Sequence, residues 1–380
     1  FNVMYMSKWK AQPDFLKLLP EIRGIADYFY MVDSYGGVYP ADVKETIELV
    51  KSYVDDVDLG FHGHNNMELA LINTLTAINE GCSIVDATIT GMGRGAGNLK
   101  TELLLSALNA QGKLEFDFNP LSKIVDSFGS LQKIHEWGTN LPYMISGALS
   151  LPQKDVMDWV GKRFYSFNSI IRALQNQAKG VSDNISVHEW KDSQISSRVV
   201  IVGGGPSVQS QKEAITHFLN ANADITIVHA SSKNALAFSQ VPNKQIFCLA
   251  GNEGHRMEEV FNNNLPLNIV CVLPPYPRKM GTYIPEVLKG NSFQIDSIRF
   301  QGDIAENITA LALEVCYKLN AQEVYFLGYD GYTGELSQNQ LELFNENEEL
   351  FKLSSDLSLA ALTPTKYKNI KYQSIFSQLI

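Results

Sequence analysis

The chain has 380 residues, 45% of them hydrophobic and 19% charged, with a formal net charge of −10 and an isoelectric point near 5.3. That length favours two domains and a connecting segment over a single core, and the acidity argues against non-specific binding to nucleic acid or an anionic membrane while leaving room for a local basic pocket. No stretch is long and apolar enough to cross a bilayer and the first residues lack a secretory signal, so a cytoplasmic protein with small-molecule chemistry is expected.

In chain order, residues 1–6 read as a strand, 13–25 as an amphipathic helix, 28–32 as a strand, 41–53 as a helix, 57–61 as a strand, 67–80 as a helix, 84–88 as a strand and 98–108 as a helix. This is a βα repeat. The strands end in polar or glycine-rich residues: Ser7-Lys8, Asp33-Ser34-Tyr35-Gly36-Gly37, His62-Gly63-His64 and Gly91-Met92-Gly93-Arg94-Gly95. Such ends converge on one face, which in a (β/α)₈ barrel is the active-site face. Residues 114–177 turn helical and aromatic, with Trp137, Tyr143, Trp159, Phe164, Tyr165 and Phe167, and read as a helical appendage. Residues 179–197 are polar, break the periodicity and read as a linker. A second α/β unit opens at Arg198-Val199-Val200-Ile201-Val202, followed by glycines and a helix over 208–220. The expected division is a partial barrel at 1–112, an appendage at 113–178, a linker at 179–197 and a Rossmann-like domain at 198–380. Cys82, Cys248, Cys271 and Cys316 are scattered through apolar patterns and read as reduced core thiols.

The chemistry concentrates at His62 and His64. Their i, i+2 spacing at a strand end sends both imidazoles to one side. Two neutral imidazoles in parallel need a carboxylate and open water positions to hold a divalent cation as a Lewis acid. Asp33 and Ser34 end the preceding strand, where they could orient a histidine, contact a substrate carboxylate, or cap the next helix. Gly93, Gly95 and Gly97 either bring backbone N–H groups to an anion beside Arg94 or make a tight βα turn. In the second unit, Gly203-Gly204-Gly205-Pro206-Ser207 lies between an apolar strand and a helix, the arrangement that receives phosphate. Val208 replaces the last glycine of the dinucleotide fingerprint, and the next strand ends at His229-Ala230-Ser231 without an acid for a ribose hydroxyl. NAD is therefore disfavoured. His229 and His255 are further polar candidates, read as ordinary surface histidines.

Taken together, Asp33-Ser34-Tyr35-Gly36-Gly37, His62-Gly63-His64-Asn65-Asn66 and Gly91-Met92-Gly93-Arg94-Gly95-Ala96-Gly97-Asn98 make residues 1–173 resemble the aldolase branch of the pyruvate-handling, metal-dependent TIM barrels. The resemblance is close to 4-hydroxy-2-oxovalerate aldolase and more distant to isopropylmalate synthase and hydroxymethylglutaryl-CoA lyase. It implies Mn²⁺ or Mg²⁺ held by His62 and His64 with an aspartate from the family's first strand, a 2-oxo acid substrate, and Tyr143 near the position of a tyrosine acid. It also implies that this chain supplies barrel strands five to eight, with the metal aspartate and its neighbouring arginine in the other half. Half a barrel exposes strand edges and an apolar face, and the chain starts at Phe1 without an initiator methionine. The expectation is a longer natural polypeptide, or a half-barrel completed by another chain or by homo-oligomerisation. The turn at 203–207, with Gly328-Tyr329-Asp330-Gly331 and Thr363-Pro364-Thr365 downstream, resembles the nucleotide-binding domain of certain bacterial sialyltransferases and archaeal pterin diphosphokinases. That resemblance implies a nucleotide or nucleotide-sugar ligand near Gly203, Gly204, Gly205, Pro206, Ser207 and Asp330. The expected function is a metal-dependent aldolase joined to a nucleotide-binding domain. The alternative is a glycosyl- or nucleotidyl-transfer protein whose partial barrel is a non-catalytic interaction module. A CoA-dependent condensing enzyme has no distinct residue signal.

Overall fold

Apolar strands separated by amphipathic helices build four parallel strands at the start of the chain: β1 (Asn2–Val3), β2 (Tyr28–Asp33), β3 (Asp58–Gly63) and β4 (Ile84–Val85). They lie side by side in chain order. The structure is a computed structural model that describes residues 1–379 apart from 162–164, 166, 182–183, 192–194, 252, 267–268, 279, 281 and 335–337. Phe164 of the aromatic series and parts of the 179–197 segment thus lie outside the described residues.

Parallel neighbours need a crossover, and helices Pro40–Tyr53 and Ala70–Asn79 supply it between β2 and β3 and between β3 and β4. The first of these begins at a proline, and the Asp42 carboxylate accepts the Tyr39 N–H at 3.0 Å. It buries Val43, Ile47 and Val50 at helical spacing. These side chains pack with Met6, Trp9, Phe29, Met31, Leu59 and Phe61, each fully buried large side chain contributing roughly 1.5–3 kcal/mol. The first predicted strand is shorter than its apolar run, because Tyr5 takes a φ of 65° and the chain turns into the helical turn Met6–Trp9. The predicted helix 13–25 breaks into Pro13–Leu16 and a 3₁₀ turn, Leu19–Ile22, with Pro20, which has no N–H to donate, inside that turn. The aromatic region forms helices Phe118–His135, Leu141–Ala148, Gln153–Gly161 and Phe167–Lys179. The chain divides into one unit of Phe1–Lys162 with Ile170–Gly180 and a second of Arg163–Ser169 with Val181–Ile380.

Among the described residues the second unit is built on eight parallel strands: β5 (Arg198–Val202), β6 (Thr226–His229), β7 (Gln245–Cys248), β8 (Val270–Leu273), β9 (Ser292–Gln294), β10 (Glu323–Leu327), β11 (Ser358–Ala361) and β12 (Lys371–Tyr372). Their order is β12-β11-β10-β5-β6-β7-β8-β9. The period-two alternation of β5 sends Val199 and Ile201 into one core and Val200 and Val202 into the other, so both faces of the sheet are covered, as parallel sheets require. Strand order reverses between β5 and β10, the switch point at which α/β sheets open a crevice. Within the 179–197 segment, Trp190 is buried in this core and donates its backbone N–H to Gln294 O at 2.7 Å. The four cysteines are buried and unpaired. Among the described residues no helix is long and apolar enough to cross a membrane.

Candidate functional site

His62 and His64 occupy the C-terminal end of β3 and its first residue beyond, and their rings stand 4.9 Å apart at an interplanar angle of 82°. Each is held by its Nδ1. His64 Nδ1 lies 2.8 Å from the Asp33 backbone carbonyl, and because a carbonyl only accepts, Nδ1 carries the hydrogen and Nε2 keeps its lone pair. His62 Nδ1 lies 2.9 Å from Asp86 Oδ1, which imposes the same tautomer. Burial pushes the His64 pKa below the ordinary imidazole value against the opposing Asp33 carbonyl bond, with the Arg94 charge adding to the shift, so it is neutral and ready to ligate near pH 7. These are the supports that ligating histidines use. Both rings line a cavity of about 410 Å³ with Ser34, Tyr35, Arg94, Asn98 and Lys154.

Asp33 and Ser34 sit beside the pair in specific roles. The Asp33 carboxylate is buried and accepts the N–H groups of Gly37 at 3.2 Å and Val38 at 3.3 Å, so it closes the β2 turn while its main-chain carbonyl orients His64. Burial raises its pKa to about 6, against the pull of those backbone N–H groups. Ser34 Oγ accepts the Tyr5 N–H at 2.8 Å and lines the cavity. Tyr143 is buried, with its ring against the position a Gly95 side chain would occupy, and it is not part of the cavity wall. Two amides of the glycine-rich turn are turned inward: Gly97 N–H donates to Arg94 O and Asn98 N–H to Gly91 O. Gly97 has a φ of +77°, and a Cβ there would stand 2.4 Å from Gly91 O. Asn66, fully buried, donates to Tyr143 O at 3.1 Å and accepts from Gln153 Nε2 at 2.7 Å, which ties the helical region to the strand ends.

Sequence reasoning missed Asp86 and Lys154. Asp86 follows the apolar pair Ile84-Val85, one strand over from His62, and an acid at a strand end on the site face was the available signal. Lys154 arrives from a helix distant in sequence and had no such signal. Against a divalent cation, the donor set is half complete. Two oriented imidazoles are present, but among the described residues no third His, Cys, Asp or Glu converges with them.

The second unit has a cavity of about 800 Å³ at its switch point, between the loops after β5 and β10. Gly203, Gly204, Gly205, Pro206 and Asp330 line it. Ser207 N–H donates to Asp330 Oδ2 at 2.9 Å and its hydroxyl donates to the other carboxylate oxygen. His229 lies at the end of β6 rather than on the surface. It is buried and stacked on Phe247 at 4.1 Å, with Nε2–H donating to Gln245 Oε1 at 2.9 Å. His255 is half-buried on helix Glu253–Val260 and stacks on Tyr283 at 3.8 Å.

Comparison with known proteins gives a family match within the first unit. The HMGL-like family matches residues 14–137. A 4-hydroxy-2-oxovalerate aldolase of Carboxydothermus hydrogenoformans is 51% identical over 87 residues, covering 23% of this chain and 26% of that protein. An oxaloacetate decarboxylase of Mycobacterium tuberculosis is 44% identical over 85 residues, covering 22% and 25%. Among solved structures, the N-terminal domain of an inferred aldolase from Bacteroides vulgatus is 58% identical over 46% of this chain and 56% of that one, with a TM-score of 0.43. The MAf glycosyltransferase of Magnetospirillum magneticum aligns with 93% of this chain and 58% of its own at 11% identity and a TM-score of 0.36. The chain spans 25% to 30% of the length of the curated relatives it matches. Residues 14–137, which contain His62, His64 and the glycine-rich turn, thus match the HMGL-like family model, and the chain is similar over part of its length to an aldolase and a decarboxylase.

Proposed function

We propose that the first unit contributes barrel strands five to eight of a divalent-metal-dependent aldolase that cleaves a 2-oxo acid and releases pyruvate, and that the second binds a nucleotide or nucleotide sugar. The observation that carries the first half is the pair His62 and His64, each tied at Nδ1 and open at Nε2, on the wall of one cavity. They would supply two nitrogen ligands to Mn²⁺ or Mg²⁺. Such a cation, when bound, supplies Lewis-acid stabilisation of an enolate oxygen. The chain's own residues do the rest of the positioning. Asp86 and the Asp33 carbonyl fix both tautomers, and burial keeps His64 neutral. Arg94 and Lys154, with no carboxylate on the wall among the described residues, make the cavity attractive to an anionic acid in an otherwise acidic protein. Ser34 holds the Tyr5 amide and, in this reading, positions rather than reacts; Tyr143 packs the glycine-rich turn. Completion of the barrel in a homo-oligomer, or by further strands, is part of the proposal.

A coupled assay of pyruvate release from a 4-hydroxy-2-oxo acid tests it. Release that requires Mn²⁺ or Mg²⁺ and falls at least a hundredfold in the His62→Ala, His64→Ala variant supports the reading; release that ignores the metal or the variant refutes it. The absence of a third ligand among the described residues favours one alternative. In it, the protein transfers a glycosyl or nucleotidyl group from the second unit, and the first unit is a non-catalytic interaction module.

A further inference from the structure

The nucleotide reading of the second cavity puts the phosphate, by analogy with other strand–glycine–helix turns, on the 203–207 turn. Most of the donors there are already engaged. Ser207 N–H and hydroxyl both face the Asp330 carboxylate. Gly203 N–H donates to Leu327 O and Gly205 N–H to Gly328 O, both at 2.8 Å. A Cβ on Gly205 would meet Asp330 Oδ1 at 2.3 Å, so the glycine makes room for the protein's own carboxylate. The following helical turn, Ser207–Ser210, is a single turn whose first N–H is the one donated to that acid. A phosphate on this turn would meet a negative charge at close range.

One strand over, the same cavity carries two cations, with Glu259 also on its wall. Ser231, Lys233 and Arg256 line it together beside Gly204. The Cβ position of Gly204 is 3.4 Å from Ser231 Oγ and 3.7 Å from Lys233 Cδ. Arg256 is braced by Glu253, whose buried carboxylate also accepts the Ser232 N–H at 2.7 Å and hydroxyl at 2.8 Å. From that anchor Arg256 Nη1 reaches to 3.4 Å from Ser231 Oγ. A guanidinium fixed by a buried acid, a lysine and a hydroxyl converging on a side-chain-free backbone make a phosphate-binding set.

Resting on the nucleotide reading of this cavity, we infer that the phosphate of its ligand is received by Ser231, Lys233 and Arg256 on the β6 side of the switch point, and not by the 203–207 turn. The experiment is calorimetric titration of the whole chain with the nucleosides adenosine, cytidine, guanosine and uridine and with their 5′-monophosphates. It is repeated on Lys233→Ala, on the Lys233→Ala, Arg256→Gln double variant, and on Asp330→Asn. At least one monophosphate should bind tenfold or more tightly than its nucleoside. That ratio should fall at least fivefold in Lys233→Ala, approach one in the double variant, and persist in Asp330→Asn. Because Arg256 braces a buried acid, the exposed Lys233 is the variant that leaves folding intact. A ratio that ignores Lys233 and rises in Asp330→Asn puts the phosphate on the glycine turn and overturns the inference alone. Binding of none of the eight compounds overturns the nucleotide reading with it.

Discussion

At the residue scale, the decisive atoms are ring nitrogens and what holds them. Two histidines at i, i+2 were legible in the sequence because strand geometry alone puts them on one side. What fixes their tautomers was not: the acid comes from the next strand, and the other support is a backbone carbonyl, to which any residue contributes equally. His229 shows the reverse failure. A histidine after an apolar run read as a surface residue, yet its Nε2–H is bonded to Gln245, whose amide in turn donates to Phe238 O at 2.8 Å, and its Nδ1 is buried without a partner among the described residues. Burial lowers its pKa to about 4. The folded chain therefore resists a proton that the unfolded chain accepts near pH 6.5, so this contribution to stability is complete above 6.5 and declines as pH falls towards 4. From pH 6.5 to 5 the loss is about 2 kcal/mol. Hydrogen exchange of the β5 and β6 amides, corrected for intrinsic rates, should lose protection by that amount, and His229→Phe should flatten the slope.

At the scale of elements, the βα alternation was readable because both periods, two and 3.6, are carried by local apolar spacing, as in Val43, Ile47 and Val50. Short elements were less so. The breaks at Tyr5 and around Pro20, and the division of the predicted 208–220 helix at Gln211, depend on backbone angles and on neighbours the local pattern does not encode. The glycine-rich turn left two readings open from sequence, an anion cradle or a tight turn, and in the structure the Gly97 and Asn98 amides bond within the turn itself. Gly97→Ala combines a positive φ with a clash against Gly91 O, and should cost about 1–3 kcal/mol, measured by urea unfolding of the first unit.

At the scale of the whole molecule, each unit has its own parallel sheet and its own cavity at the C-terminal strand ends. The order of the larger sheet could not be read from the chain, since the return from β9 to β10 is a long-range choice among sheet edges; once known, it locates the second cavity without reference to any motif. The HMGL-like match lies within the first unit, so the proposed activity depends most on whether His62 and His64 hold a cation. The direct measurement is calorimetric titration of Mn²⁺ into the chain in the presence of oxalate, whose two oxygens stand in for those of a 2-oxo acid. The account predicts one Mn²⁺ per chain, with affinity reduced roughly 10–100-fold in Asp86→Ala and abolished in His62→Ala, His64→Ala. Unchanged affinity in the double histidine variant, or no binding to the parent protein with oxalate present, would contradict it.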